Sequence, residues 1–209
     1  YQNRNHRFKL YMDTTCYLAY DKQKFDYPDK VEVVNAYGAL NQPWQYSKTQ
    51  ALVQCSKEDR VLIDADELWH ADIDIDVNNI TFLAKERSFN CLKHEKELIE
   101  HLFGSEASSY SHFNTGLINI PKRLMSNVLS DKIEIYTKRI FNSDLEFISD
   151  HSLNRDTHIR RICEQIAVCI AIQECYEDEI FSTLKNSDQR HDKNLLEPLY
   201  YGCAKSYTE

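Results

Sequence analysis

Two aspartates one residue apart, Asp64 and Asp66, follow three branched apolar residues, Val61, Leu62 and Ile63. The apolar run reads as a buried strand and the carboxylates as its end. A buried carboxylate is costly unless something compensates it. A divalent cation is one compensator, because hard cations take oxygen ligands. An ion held by Asp64 and Asp66 would in turn hold phosphate. The competing reading is a charged loop, since aspartate is common at turns in any case.

Other residues with chemical potential are scattered along the chain. Asn114, Thr115 and Gly116 read as a turn allowing close backbone approach, followed by a strand from Leu117 to Ile120. Glu164 and Gln165 lie near the start of the most apolar helical run. They sit either on its wet face, the default, or at a pocket. Gly202 and Lys205 belong to a tyrosine-rich tail that reads as folding back over a pocket, where a lysine meets phosphate as a point charge. Asp72, Asp74 and Asp76 alternate with apolar residues. This reads as a solvated strand face, because a calcium loop would need a glycine that is absent. His94 and His101 share a helical face and read as exposed.

These residues need elements to position them. Phe8 to Met12, Val31 to Val34, Arg60 to Ile63 and Ile80 to Ala84 read as strands. Trp44 to Cys55 reads as a helix, and so does Leu92 to Phe103, with Leu92, Glu95, Leu98, Ile99 and Leu102 on one stripe. Gly104 is its expected stop. Ser105 to His112 reads as a polar loop or lid. Pro121 to Asn142 carries one or two helices, Ile159 to Ala171 one apolar helix, and Phe181 to Asn194 a solvated connector. Strands separated by helices predict a parallel sheet, with ligands beyond the carboxyl ends of its strands.

The 209 residues suffice for one large domain. A net charge of −8 argues against a nucleic-acid backbone binder. Seven cysteines without paired CxxC spacing read mostly as reduced core residues, which favours a cytoplasmic location. No run of eighteen apolar residues is present, so no membrane span is expected.

Taken in order, Tyr46-Ser47-Lys48, Ala51-Leu52, Val61 to Asp66, Phe113 to Ile118 and Glu164-Gln165 resemble the nucleotide-sugar-dependent glycosyltransferases of the GT-A fold. The glycogenin-like and lipopolysaccharide galactosyltransferase-like group is nearest. The resemblance covers roughly residues 8 to 205. It implies an α/β fold, a Rossmann-like mixed, mostly parallel sheet with flanking helices, whose first strand–helix unit is absent from this chain. It implies one domain over residues 1–209, with a nucleotide-binding part at 8–77 and an acceptor-side part with a closing tail at 78–205. Asp64 and Asp66 match the DxD clamp for Mn2+ or Mg2+. Asp13 matches a ribose contact, Lys48 a basic residue near the donor, and Asn114, Thr115 and Gly116 the turn lining the sugar pocket. Glu164 and Gln165 match residues near the reacting carbon of retaining members. Gly202 and Lys205 fall in register with a closing motif, in which Leu199 stands where the family has a metal-binding histidine.

The function implied is transfer of a sugar from a nucleotide-diphosphate donor, a UDP-sugar by preference, to a carbohydrate or glycoconjugate acceptor. A metal would neutralise charge on the departing diphosphate. Lys48 and Lys205 would add to that stabilisation. The alternatives are a sugar-nucleotide binding protein with weakened or lost turnover, motivated by Leu199, and a metal-dependent phosphatase or sugar nucleotidyltransferase using the same aspartates.

Overall fold

The computed structural model describes residues 8–14, 17–18, 31–37, 43–64, 67–69, 75–76, 78–149, 155–176, 181–185 and 196–198. Its strands are β1 (Phe8–Asp13), β2 (Val31–Tyr37), β3 (Leu62–Ile63), β4 (Glu67–Trp69), β5 (Ile80–Ser88), β6 (Ser111–Asn119), β7 (Phe181–Lys185) and β8 (Leu196–Pro198). Its α-helices are α1 (Trp44–Lys57), α2 (Lys93–Phe103), α3 (Asn127–Phe141), α4 (Arg155–Arg161) and α5 (Cys163–Cys175).

β5 opens with Ile-Thr-Phe-Leu-Ala, five buried residues in succession. Such a run suits a strand covered on both faces, and β5 is internal, with β6 on one side and β7 on the other. β6 is buried everywhere except at Asn114. The four-stranded sheet runs β3-β6-β5-β7. Two shorter pairs, β1 with β2 and β4 with β8, lie outside that ladder. The class is mixed α/β with flanking helices.

The expectation of a mostly parallel sheet is corrected among the described strands. β5 pairs parallel with β7, and β1 with β2. β3 with β6, β5 with β6, and β4 with β8 are antiparallel. The reason lies in the β5–β6 connection. It carries α2, yet it returns to the end it left, so that Ser88 faces Ser111 across the ladder. A helix between two strands makes them parallel only when the connection crosses to the opposite end.

The core centres on α5, which is apolar around its circumference and accordingly buried. Cys163, Ile166, Ala167, Cys169, Ile170, Ala171 and Ile172 are fully enclosed. α5 packs against α3, α1 and β6. Phe82 stacks on Phe113 at 4.4 Å between ring centres, and Phe181 meets Phe82 edge-on at 6.4 Å. α2 turns Leu98 and Ile99 inward and ends at Gly104, whose φ of +94° is open to glycine alone at little cost. Ser126 caps α3 by accepting a hydrogen bond from Leu129 N at 3.1 Å.

Four local expectations change. The apolar run from Ile159 is broken at Ile162 (φ −106°, ψ 11°) into α4 and α5. Asn114-Thr115-Gly116 is the middle of a continuous strand and not a turn. The serine-rich lid is a short 3-10 helix, Ser105–Ser109, followed by the start of β6. The connector after Phe181 begins as β7, because Phe181 and Leu184 have core neighbours that offset the polar residues between them. Among the described residues no helix is long and apolar enough to cross a membrane.

Candidate functional site

Helix α1 carries Lys48, whose ammonium meets two carboxylates from distant parts of the chain. Its Nζ lies 2.9 Å from Asp64 Oδ1 and 3.1 Å from Glu164 Oε1. Asp64 immediately follows β3, and Glu164 is in the first turn of α5. Asp64 is held there by its backbone, since its N–H donates to Gly116 O at 2.8 Å and extends the β3–β6 ladder by one bond. The three groups differ in exposure: 15 % for the Lys48 side chain, 31 % for Asp64 and 5 % for Glu164. Burial alone would depress the lysine pKa. The Glu164 and Asp64 carboxylates outweigh it and hold the ammonium above the ordinary lysine range.

Behind this cluster is a cavity of about 10 Å³ bounded by Lys48, Thr49, Leu52, Leu62, Thr115 and Glu164. Thr115 Oγ1 and Glu164 Oε2 are buried without a hydrogen-bond partner. The space is on the scale of a single water molecule.

Gln165, one residue along α5, belongs to a different group. Its Nε2 lies 2.6 Å from Nε2 of His112, a β6 residue 1 % exposed. The His112 ring stacks on Phe89 at 4.8 Å, and its Nδ1 stands 3.5 Å from Glu95 Oε2. Glu95 is fully buried and takes Arg87 Nη2 on its other oxygen at 2.5 Å. Arg87 Nη1 bonds Glu86 at 3.0 Å, and Glu86 accepts from Asn114 Nδ2 at 3.0 Å. Asn114 also orders its own strand, its Oδ1 accepting from Gly116 N at 2.8 Å. A hydrogen-bonded line therefore runs from Asn114 through Glu86 and Arg87 to Glu95, and the His112–Gln165 pair stands beside its end, with Glu95 Oε2 and His112 Nδ1 facing each other without a hydrogen bond. Burial pushes the Glu95 carboxyl up, but the neighbouring His112, His158 and Arg87 outweigh it, so it lies well below the usual carboxylate range.

Of the residues singled out in the sequence, Lys48, Asp64 and Glu164 converge, and Thr115 lines the cavity beside them. Gly116 meets the cluster through its bond to Asp64, and Asn114 through Gly116, whereas Gln165 is drawn into the separate His112 group. Glu164 is buried, against the default of a wet surface. Asp13 ends β1 opposite Tyr37, and its side chain lies outside what is described. Asp66, Leu199, Gly202 and Lys205 also lie outside the described residues.

Sequence reasoning missed Glu86, Arg87, Glu95 and His112 as a group. One signal was present: Glu95 occupies a position of the apolar stripe of α2, where a carboxylate implies a buried partner. His112 gave none, because it follows a polar serine-rich stretch. No protein-family model matches the chain, and no curated protein or solved structure shows a significant likeness to it.

Proposed function

We propose that this protein transfers a sugar from a nucleotide-diphosphate donor, a UDP-sugar by preference, with a divalent ion, Mn2+ or Mg2+, at Asp64 and Asp66. The observation that carries the reading is the meeting of Lys48, Asp64 and Glu164 at the end of β3. There α5, distant in sequence, joins the consecutive elements α1 and β3, and two carboxylates meet one largely buried ammonium. Asp64 fits the role of ligand: it offers hard carboxylate oxygens at a strand end and remains partly exposed. A bound ion would act as a Lewis acid on diphosphate. The small cavity cannot hold a nucleotide, so the donor lies over Asp64, on the open side of the cluster. Lys48 is within reach of Asp64 and supplies positive charge beside the leaving diphosphate. Glu164, fixed by that lysine, presents a carboxylate at the inner side of the cluster, and Gln165 is held by His112.

Thermal unfolding with UDP and Mn2+ tests this. Ligand at a hundredfold its dissociation constant stabilises by about 2.7 kcal/mol, a rise of about 5–10 °C for a chain of this size. The rise should require both UDP and Mn2+ and should vanish in Asp64→Asn. An equal rise in that variant refutes the clamp. Product formation with a panel of UDP-sugars and carbohydrate acceptors then separates transfer from binding alone.

A further inference from the structure

Helices α2 and α4 bring His94, Glu95 and His158 together, with one donor atom of each within 4.8 Å of the other two. We propose that these three residues bind one borderline divalent transition ion, zinc being the best match, at a site separate from the Lys48 cluster. Two imidazole nitrogens and one carboxylate oxygen form a donor set that suits zinc and not Mg2+ or Ca2+. His158 Nε2 lies 3.2 Å from Glu95 Oε1. Two ligands on a tetrahedral ion, with bonds of about 2.0–2.1 Å, stand about 3.3 Å apart. An ion can therefore replace the proton between them with little movement of either side chain. The rings of His94 and His158 are 5.3 Å apart and nearly perpendicular, at 88°.

The surroundings are those of a supported ligand. Arg87 Nη2 donates at 2.5 Å to the same Glu95 Oε1 that faces His158, and ligating carboxylates generally carry such an outer hydrogen bond. Glu86 holds the other arm of Arg87, so the two acids and the arginine leave one net negative charge beside the site. His158 is 40 % exposed and gives a route from solvent. Three protein ligands leave a further position for water. An ion here ties α2 to α4, the segment leading into α5 and Glu164.

The test is titration of the chelator-treated full chain with Zn2+ by calorimetry, and with Co2+ by visible absorption, without nucleotide. One equivalent should bind, with the ligand-field bands of nitrogen-ligated Co2+ and a higher unfolding temperature. Affinity should fall at least tenfold in His94→Ala and in His158→Ala and stay unchanged in Cys91→Ser. No stoichiometric binding, unchanged affinity in both histidine variants, or loss in Cys91→Ser overturns the proposal. In the unaltered chain, saturating Zn2+ should protect His158 from diethyl pyrocarbonate, and an unprotected His158 also overturns it. Because no nucleotide is present, failure here leaves the glycosyl-transfer reading untouched.

Discussion

Adjacent residues of α5 serve two charged clusters of opposite character. Glu164 belongs to a cluster at the end of β3, where one ammonium faces two carboxylates and Asp64 remains partly exposed. Gln165 belongs to a cluster between β5, β6 and α2, in which Glu95 and His112 are almost completely enclosed. In the first, the surplus negative charge reaches solvent, and an incoming cation or polyanion can exchange partners with Lys48. Along the second, from Asn114 to Glu95, each carboxylate meets Arg87 and another polar group. Its carboxylates share Arg87, which suits a support for the strands and for Gln165, although Arg87 Nε, Glu95 Oε2 and His112 Nδ1 make no hydrogen bond among the described residues. Glu95 approaches solvent most closely on its His158 side, where the imidazole is 40 % exposed.

The largest expected effect follows from the enclosure of Glu95. Glu95→Ala should destabilise the fold by about 3–5 kcal/mol, because it strips a fully enclosed carboxylate from the partly buried Arg87 and from the enclosed His112. Urea unfolding measures this, and a cost below about 1 kcal/mol would mean that the enclosed cluster is not an electrostatic unit.

The open cluster should respond differently to two similar changes. Glu164→Gln keeps the shape but weakens the hold on a buried ammonium, at about 1–3 kcal/mol. Asp64→Asn alters a partly exposed pair and should cost about 0–1 kcal/mol. The order reverses for ligand response, where Asp64→Asn should abolish the Mn2+-dependent shift with UDP while remaining close to normal in stability. Equal stability costs at the two positions would place Asp64 in the interior framework with Glu164, and not at its open edge.

How far the chain was readable from its sequence differs between these clusters for physical reasons. Val61-Leu62-Ile63 running into Asp64 is a local pattern, so a strand with an acidic end was legible, as was α2 from its stripe and from Gly104; the expected burial was not met, because β3 is a two-residue, half-buried strand at the sheet edge. Lys48 and Glu164 were legible as candidates through a family resemblance, whereas their contact depends on α1 packing against α5. Strand direction was not legible, because nothing local shows that the α2-bearing connection returns to the end of β5 that it left. The break at Ile162 was also hidden, since Ile159, Ile162, Cys163 and Ile166 continue one apolar stripe through it. Asn114-Thr115-Gly116 carries turn-forming residues, but the ladder with β5 and the Asn114–Glu86 bond override that local preference. His112 illustrates the limit most plainly, because its burial comes from Phe89, Glu95 and Gln165 and from nothing next to it in sequence.

The smallest effect concerns thiols on either side of the division. Thiolate is the reactive form of cysteine. Burial first, and then the Glu164 carboxylate, push Cys163 up to about 12. Burial raises Cys169 further still, and its sulfur donates to Phe113 O at 3.4 Å while receiving Phe113 N–H at 3.3 Å. Cys91 is exposed. Iodoacetamide at pH 8, followed by peptide mass mapping, should therefore modify Cys91 in the native protein well before the other two. Between those two, Cys163 should react ahead of Cys169, because it starts α5 beside the open cluster, whereas Cys169 is bonded to the middle of that helix's neighbouring strand. Simultaneous labelling of Cys163 and Cys169 would mean that α5 opens as one unit and that its first turn has no greater access to solvent than its centre. Labelling of Cys163 alone, suppressed by UDP with Mn2+, would tie the mobility of that first turn to the site at Asp64.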